Sequence, residues 1–476
     1  MKDDIAASPT KSFFVSMLTR DIDLQDAILD LLDNCVDGIV RSKKGNLSGE
    51  KPYEKFWAKI TANSDQFVIE DNCGGIPRKL AEEVAFRMGR VPLPKPEKLE
   101  TVGIYGIGMK RAIFKLGKRA VVRSEHDGKA FQVAVTPEWL KDESNWQLTS
   151  EEVKPSGTTG TTITVTELYD PIRRDFTKTD SPFLEDLYGM IAENYSVIIG
   201  KGFNVELNGN PVKRVEFNLL VSKSNRGQDK KHAINPYVYK GKIRDVEFEV
   251  VVGFYRPPLT EEDIEAENEA PRADLSQAGW SVICNDRLVL RSDKTATTGW
   301  GTGGVPRFHN QFSSIAGVVN LHSTDPAQLP LKTTKRGIET SSDVYFRLLD
   351  SMREGTKQFT DYTNKWKGKA DEVKDQFTDA QLLPAAQIPK AVTAGLKPVH
   401  KSKLPPDVVA DIFKPSLPQP EKTESDKVKI TFTRSVTEVR AVAKSLLDDE
   451  EAKPPQVGDA CFQAALDAIP KPKKKR

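Results

Sequence analysis

Four short motifs follow one another in a fixed order within the first third of the chain, and together they constrain its fold more than any other feature. They are DLLDNCVD at residues 30–37, DNCGG at 71–75, GIYGIGMK at 103–110 and GTT at 160–162. A carboxylate and an amide one helical turn apart suit a water molecule and a metal ion, an acid ending a strand suits the edge of a base, and glycines opening a helix suit phosphates. Each motif alone is weak evidence, but their order and spacing predict a nucleotide pocket.

The composition is that of an ordinary globular protein. With 476 residues, of which 38% are hydrophobic, the chain is long enough for about three domains. The formal net charge of +2 is nearly neutral, so any basic surface has to be local. The four cysteines are scattered without a C-x-x-C pair, which argues against a disulfide framework and against a zinc site.

Targeting signals are not evident in the sequence. The N-terminus carries acidic residues where a signal peptide carries basic ones, and it lacks the apolar run of such a peptide. No stretch of about 18 apolar residues occurs that could span a membrane. We therefore expect a cytoplasmic protein, or a nuclear one if the chain comes from a nucleated cell.

Helix and strand signals in the first 200 residues predict an α/β fold. Apolar residues recur at helical spacing from Asp23 to Val40, which predicts an amphipathic helix. Its other face carries Asp30, Asp33, Asn34 and Asp37. Strands are predicted at 56–61, 67–70, 120–123, 131–135 and 161–166, and another helix at 110–116. Helices on one side of a mixed sheet make a two-layer α/β sandwich over residues 1–200.

A second, transducer-like α/β domain is predicted over residues 201–345. Its strand signals lie at 203–207, 246–254, 281–290 and 315–321. Residues 342–366 favour a long exit helix, and the helical extension is placed at 346–380.

The last hundred residues differ in composition. Residues 381–425 are rich in proline and lysine, so we expect a semi-rigid linker without regular elements there. Residues 426–476 are predicted to form a small C-terminal module with a basic tail. Its predicted elements are a strand at 427–434 and helices at 436–447 and 460–469.

The first motif carries groups that suit a nucleotide and its metal ion. Asp30 and Asn34 are four residues apart and so share one face of the predicted helix, with Asp37 one turn further. Mg²⁺ that bridges phosphates keeps several waters, so the side-chain carbonyl of Asn34 is a sufficient protein ligand. Asp30 could orient or deprotonate an attacking water. For this helix alone, the alternative is a solvated acidic face.

The second motif suits a base. Asp71 follows an apolar strand and precedes two glycines, so its carboxylate can accept a hydrogen bond from an exocyclic amino group, which selects adenine over guanine. The alternative is an ordinary turn between a strand and a helix.

The third motif suits phosphates. Gly103, Gly106 and Gly108 precede a helical run, and such a helix start presents free N–H groups to an anion. Lys110 adds a positive charge. The motif is not a Walker A loop, because no G-K-[ST] follows it. The proline-rich stretch at 91–99 is predicted to be a mobile lid.

The four motifs resemble those of the GHKL ATPase superfamily, which contains DNA gyrase B, the ninety-kilodalton heat-shock chaperone, MutL and the histidine kinases. The family's E-x-x-x-N-x-x-D pattern is met by Asp30, Asn34 and Asp37, its D-x-G-x-G pattern by Asp71, Cys73 and Gly75, its lid glycines by Gly103, Gly106 and Gly108, and its G-T by Gly160 with Thr161 or Thr162. Two positions differ: Asp30 stands where hydrolysing members carry glutamate, and Cys73 replaces a glycine.

The resemblance implies a Bergerat-type ATP-binding fold with ATP and Mg²⁺ as cofactors. In it Asn34 holds Mg²⁺, Asp71 contacts adenine, and Thr162 or Thr161 supports that contact through water. The other implied nucleotide-binding residues are Asp37, Gly75, Ile76, Gly103, Gly106, Ile107, Gly108, Met109 and Lys110. Because Asp30 is one methylene shorter than glutamate, it can act as the catalytic base only if its helix lies closer to the nucleotide.

Motifs of the second domain fall in the order of a transducer domain. They are GWSVICNDRL at 279–288, IAGVVN at 315–320 and LPLKTTK at 329–335, and the whole set is most similar to the Microrchidia (MORC) ATPases over about residues 10–345. In that family, as in MutL, a transducer lysine reaches the γ-phosphate. Lys335 matches this catalytic lysine best and Lys332 second; the alternative is a basic surface loop.

The resemblance implies a Mg²⁺-dependent ATPase that works as a nucleotide-gated clamp. ATP binding would order the lid, dock the transducer and promote homodimerisation, and hydrolysis to ADP and phosphate would release it. DNA or a DNA-bound protein is the expected partner, in genome defence or silencing. The alternatives are a chaperone-like remodelling ATPase, for which residues 345–476 are short, and a protein kinase, for which no histidine lies in a helical signal.

The basic tail at 471–476, with Lys397, Lys401 and Lys403, could contact phosphates through charge alone. The alternative is a solubilising terminus. Aromatic residues are not interleaved with these lysines, so base stacking on a single strand is not indicated.

Overall fold

The computed structural model describes residues 10–87, 99–101, 103, 106–177, 181–223, 233–260, 263–264, 277–332, 335–367, 369–392, 395–400, 404–420 and 433–469. The chain divides into two compact units, residues 1–420 and 421–476. None of the described helices is both long and apolar enough to cross a membrane.

An eight-stranded sheet dominates the first 211 residues. Its strands are β1 (Trp57–Ala62), β2 (Gln66–Asp71), β3 (Gly117–His126), β4 (Lys129–Val135), β5 (Ser150–Val153), β6 (Gly160–Leu168), β7 (Asn204–Leu207) and β8 (Asn210–Pro211). They lie in the order β5-β4-β3-β6-β2-β1-β7-β8. Neighbours are antiparallel except β1 and β7, which are parallel.

Helices accompany this sheet along the same part of the chain. They are α1 (Lys11–Arg20), α2 (Leu24–Ser42), α3 (Arg78–Leu80), α4 (Gly108–Leu116), α5 (Pro137–Lys141), α6 (Asp170–Thr177), α7 (Pro182–Asn194) and α8 (Ser196–Gly200), and a π-helical turn at Ala81–Ala85 follows α3.

One face of the eight-stranded sheet is covered by helices. The apolar residues of α2, α4 and α7 join those of the central strands in a single core. Burial alternates along β1 and β2, as it does when one face of a sheet is covered and the other meets solvent. The predicted two-layer α/β sandwich is thus confirmed.

A seven-stranded sheet forms the second half of the large unit, beside a two-stranded sheet. The strands are β9 (Asn218–Ser222), β10 (Tyr237–Ile243), β11 (Val246–Phe254), β12 (Gly279–Cys284), β13 (Arg287–Asp293), β14 (Ile315–His322), β15 (Ala380–Pro384), β16 (Lys397–Pro398) and β17 (Val408–Phe413). The strands of the seven-stranded sheet lie in the order β13-β12-β14-β11-β10-β17-β16, and β15 pairs with β9 in the two-stranded sheet. The long α9 (Asp343–Lys365) packs on β10, β11 and β14. It is followed by α10 (Ala370–Gln376) and α11 (Ile388–Ala391).

One predicted domain boundary and one predicted linker are wrong. The strand at 203–207 was expected to open the second domain, but β7 pairs in parallel with β1 and extends the first sheet. The stretch from 381 was expected to hold no regular element, yet β15 pairs with β9 and β17 pairs with β10.

Three prolines of this stretch belong to regular elements, and each lies where a strand or helix tolerates proline. Pro384 ends β15, Pro389 is in the first turn of α11, and Pro398 ends the edge strand β16. At such positions proline removes no hydrogen bond that the element needs. A high proline content therefore did not exclude regular structure here.

The small second unit contains α12 (Val436–Leu447) and α13 (Pro454–Asp467). Ser435 and Glu438 cap α12 reciprocally, which satisfies two of the free N–H groups at its start. The predicted helix at 436–447 is confirmed, and the helix predicted from 460 begins earlier, at Pro454. The predicted strand at 427–434 falls mostly, and the basic tail at 471–476 entirely, outside the described residues.

Candidate functional site

Helix α2 buries three of the four polar residues of the first motif. Asp30, Asp33 and Asp37 are only 4%, 1% and 5% exposed, whereas Asn34 is exposed. A solvated acidic face, which was the alternative for this helix, is therefore wrong. Asn34 presents its amide to solvent one turn beyond Asp30, on the same face of the helix.

Asp33 is the centre of a buried ion cluster. Its Oδ1 accepts hydrogen bonds from Arg287 Nε at 2.9 Å and from the Tyr195 hydroxyl at 2.6 Å, and its Oδ2 accepts one from Lys335 Nζ at 2.7 Å. Burial opposes ionisation of Asp33, but Lys335 and Arg287 outweigh it and lower the pKa to about 2. Asp33 is consequently a carboxylate at neutral pH.

Lys335 joins the seven-stranded half of the unit to α2. Besides Asp33, its Nζ contacts Asp30 Oδ1 at 3.2 Å. Burial opposes the charged ammonium, but Asp33 and Asp30 outweigh it and raise the pKa of Lys335 to about 12. Lys332, the second candidate, is exposed. Of the two lysines, the structure brings Lys335 to the predicted site.

The second oxygen of Asp30 also has a cationic partner. Arg111, on α4, donates from Nη2 to Asp30 Oδ2, and both side chains are largely buried. The predicted catalytic carboxylate thus lies between an arginine from the same sheet region and a lysine from the other one.

Asp71 ends β2, and its hydrogen bonds come from neutral groups. Its Oδ1 accepts a hydrogen bond from the Cys73 amide at 2.7 Å, and its Oδ2 accepts one from the Cys35 thiol at 3.5 Å. Burial is the largest influence and raises the pKa of Asp71 to about 6, although the amide of Cys73 acts in the opposite direction.

The loop after Asp71 is shaped by glycine. Gly75 has a φ of +65°, and a Cβ there would overlap the carbonyl oxygen of Glu125, so only glycine fits. The next amide, of Ile76, donates to Ser124 Oγ at 2.6 Å. These contacts hold the predicted base-binding loop against β3.

The choice between Thr161 and Thr162 is decided by strand register. Asp71 is paired with Thr161 across β2 and β6, while Thr162 is paired with Glu70. Side chains of directly paired residues lie on the same face of a sheet. Thr162, the preferred candidate from the sequence, therefore lies on the opposite face from Asp71, and Thr161, the second candidate, lies on the same face as Asp71.

The glycines of the third motif pack closely on α2. The Gly103 amide donates to Asp37 Oδ2 at 2.9 Å, and a Cβ at Gly108 would lie 3.1 Å from the Cβ of Asp30. Helix α4 begins at Gly108, directly after Ile107 and before the buried Met109. The free N–H groups at its start consequently lie beside Asp30. Residues 91–98 of the lid predicted at 91–99 lie outside the described part of the chain.

Lys110 does not present a free charge. It is buried, and its Nζ donates to the carbonyl oxygens of Ala85, at 2.8 Å, and Gly106. Burial lowers its pKa to about 8. In this structure the predicted phosphate ligand instead fastens the glycine loop to the π-helical turn.

The donor set fits a magnesium ion that is held mainly by nucleotide phosphates. In the described part of the chain, no group of three or more His, Cys, Asp or Glu side chains could hold a metal by itself. Mg²⁺ in such sites keeps waters and phosphate oxygens and needs only one or two protein ligands. The exposed amide of Asn34, one helical turn beyond Asp30 on α2, meets that need.

Arg111, Arg287 and Tyr195 were not found from the sequence. Asp33 and Arg287 are 254 residues apart, and Asp30 and Arg111 are 81 apart. No spacing rule links residues at such separations. Two weak signals in the sequence pointed to the pair of Asp33 and Arg287: Asp33 directly precedes Asn34, and Arg287 lies within the motif at 279–288.

Residues 22–167 match the family model described as histidine kinase-, DNA gyrase B- and HSP90-like ATPases. This match supports the GHKL superfamily, and a domain of this type supports ATP binding and ATPase activity. The matched segment contains all four motifs and the residues that surround Asp30 and Asp71, but neither Arg287 nor Lys335. No curated protein sequence matches the chain.

Proposed function

We propose that the protein is a Mg²⁺-dependent, MORC-like ATPase that works as a nucleotide-gated dimerising clamp on DNA or on a DNA-bound partner. One observation carries this proposal: Lys335, from the loop after β14, lies with its Nζ 2.7 Å from Asp33 and 3.2 Å from Asp30. A charge from the second sheet region is thereby placed beside the groups that would face the phosphates of ATP.

This contact gives nucleotide a means of acting on the second sheet region. A terminal phosphate beside Asp30 would attract Lys335, and loss of that phosphate would return Lys335 to its two carboxylates. ATP and ADP would therefore interact differently with the loop after β14, which is the condition for a ligand to shift a conformational equilibrium.

A histidine kinase fits less well. Among the described histidines, His126 is in β3 and His322 is in β14, while His309 and His400 lie outside α-helices. A phosphoacceptor histidine would be expected on a helical hairpin. His232 lies outside the described residues.

A lysine-lined groove supports the DNA part of the proposal. Residues from the end of α2 to the start of β1 line an open cavity of about 470 Å³, and among them are Lys43, Lys44, Lys51 and Lys55. All four lysines are exposed. Glu54 is the acidic residue of the lining, so the groove is net positive, as sequence-independent contact with phosphates requires.

Molecular size with and without nucleotide tests the clamp. We expect the full chain to be a monomer when free or with ADP, and a dimer with Mg²⁺ and a non-hydrolysable ATP analogue, as measured by light scattering after gel filtration. An analogue that binds without changing the mass would exclude the dimerising clamp and leave a monomeric ATPase.

Two substitutions on α2 separate binding from turnover. Asn34→Ala should abolish Mg-ATP binding, because it removes the metal ligand. Asp30→Ala should retain nucleotide binding and lower hydrolysis by about 10²–10⁴-fold, because it removes the base. Normal hydrolysis by Asp30→Ala would show that the base assignment is wrong.

The DNA contact is tested by duplex binding at several salt concentrations. Reversal of charge at Lys43, Lys44 and Lys55 should weaken binding and reduce its salt dependence, and deletion of residues 471–476 tests the tail separately. Absence of duplex binding by the unaltered chain, with or without ATP, would exclude DNA and leave a protein-remodelling ATPase.

A further inference from the structure

Arg111 occupies a position that the proposed reaction has not yet explained. It is the fourth residue of α4, and its Nη2 donates to Asp30 Oδ2. Its Nε is buried and has no hydrogen-bond partner in the described part of the chain. The buried guanidinium therefore donates one hydrogen bond to the proposed catalytic carboxylate and keeps its Nε–H as a further donor.

The pairing around Asp30 limits the room for a water that this carboxylate would activate. Lys335 contacts one carboxylate oxygen and Arg111 the other. A base has to lie within hydrogen-bond reach of the water that it activates. Each oxygen can accept a second hydrogen bond, and departure of one cation would leave a whole oxygen to the water.

The helix geometry places Arg111 near both Asp30 and the site expected for the phosphates. Side chains on an α-helix lean toward its N-terminus and cover the preceding turn, so the Arg111 side chain extends over Ile107 and Gly108. Gly108 is the helix start, and a Cβ there would lie 3.2 Å from the carboxyl carbon of Asp30. An anion at this helix start would lie on the side of α4 toward which the Arg111 side chain leans, beside the Asp30 carboxylate that it now contacts.

We propose that Arg111 is a phosphate-binding arginine supplied by α4, which exchanges its ion pair with Asp30 for the terminal phosphate of ATP. This inference rests on the proposed ATPase function. The planar guanidinium presents five donors and binds phosphate in a bidentate manner. The exchange replaces one anion by another at a buried cation, so the guanidinium stays paired and one oxygen of Asp30 is released.

The released carboxylate then takes part in an ordinary hydrolysis. The water oxygen bonds to the γ-phosphorus, the bond from that phosphorus to the β,γ-bridging oxygen breaks, and ADP leaves with the electron pair. The water proton passes to Asp30. Arg111 forms no bond in this step; it stabilises negative charge on the phosphoryl oxygens.

The first test compares Arg111→Gln with Lys115→Gln. Lys115 is on the same helix and donates to the Thr19 carbonyl oxygen, so it controls for loss of a charge on α4. Arg111→Gln should weaken ATP binding by at least about tenfold and change ADP binding far less, since ADP lacks the terminal phosphate. Hydrolysis at saturating ATP should fall by about a hundredfold or more. Lys115→Gln should leave both affinities and the rate unchanged.

A double-mutant cycle with Asp30 tests the exchange itself. In Asp30→Asn the arginine is no longer held by a carboxylate, so a non-hydrolysable ATP analogue should bind several-fold more tightly than to the unaltered protein. Adding Arg111→Gln should remove that gain. The double variant also avoids leaving a buried charge without a partner, so it is expected to fold even if Arg111→Gln alone does not.

The outcomes separate this inference from the proposed function. Equal loss of ATP and ADP affinity in Arg111→Gln, or no gain in Asp30→Asn, would make Arg111 a structural partner of Asp30 and overturn the proposal. If the unaltered chain binds neither nucleotide, the ATPase function itself fails, and the role of Arg111 fails with it.

Discussion

The two ends of the candidate nucleotide site each carry a buried carboxyl group, and the pKa values of these two groups are shifted in opposite directions. Asp71, at the base end, is 9% exposed and has a pKa raised to about 6. Asp33, at the phosphate end, is 1% exposed and has a pKa lowered to about 2. Burial favours the neutral acid at both places, and only at Asp33 do cations outweigh it. The type of partner, not the depth of burial, sets the charge.

The two carboxyl groups also differ in which part of the chain supplies their partners. The partners of Asp71 are neutral groups from within residues 22–167, namely Cys35 and the amide of Cys73. The cations at Asp33 are Arg287 and Lys335, from the second sheet region. The proposed base-binding end is therefore built within one sheet region, whereas the proposed phosphate end takes cations from the other region as well.

The largest expected effect is that of breaking the ion cluster. Arg287→Ala leaves Asp33 without its 2.9 Å partner in a buried site, and we expect the large unit to lose about 3–5 kcal/mol of stability. The measurement is the free energy of unfolding from denaturant titration.

Arg244→Ala is the matched control for that substitution. Arg244 pairs with Asp343 and Asp407, but its side chain is 55% exposed, so its removal should cost less than about 1 kcal/mol. Equal losses for the two variants would mean that the contact between the sheet regions does not depend on the buried cluster.

The next effect concerns pH and the base end. In the proposed site the Asp71 carboxylate accepts a hydrogen bond from the adenine amino group, and protonation weakens this acceptor, so ATP affinity should fall as the pH drops through about 6. Between pH 7.5 and pH 5 the loss from this one protonation is about tenfold. Nucleotide binding measured by calorimetry over this range tests it.

Asp71→Asn separates the protein's titration from that of the nucleotide. The variant should bind ATP more weakly at neutral pH, and it should keep only the pH dependence that belongs to the ATP phosphates. A profile identical to that of the unaltered protein would remove Asp71 from the base-binding role.

The smallest expected effect tests which threonine of β6 lies on the same face as Asp71. Thr161→Val should weaken ATP binding by about 1 kcal/mol, because a hydroxyl beside Asp71 is lost, while Thr162→Val should have no effect on affinity. Both substitutions conserve shape in a β-branched residue, so each controls for the other. A larger effect at Thr162 would show that the face of β6 was assigned incorrectly.

Local signals predicted the fold of the first region well. The spacing of apolar residues located α2, and the alternation of residues located β1, β2, β3, β4 and β6. The surroundings of a residue could not be predicted from such signals. Lys110 is held by two carbonyl groups, Thr162 lies on the opposite face from Asp71, and three prolines after 381 lie in strands or a helix rather than in a linker.

The sequence by itself determined which chemical groups are present and which of them are neighbours on one helix or strand. Helical and strand periodicity act over a few residues, so Asp30, Asn34 and Asp71 could be placed without a structure. Tertiary structure alone decided that Asp30 is paired with Arg111 and Lys335, and Asp33 with Arg287 and Lys335. These pairs join residues 81 to 305 positions apart, and a buried charge takes whichever opposite charge the packing of the two sheets brings to it.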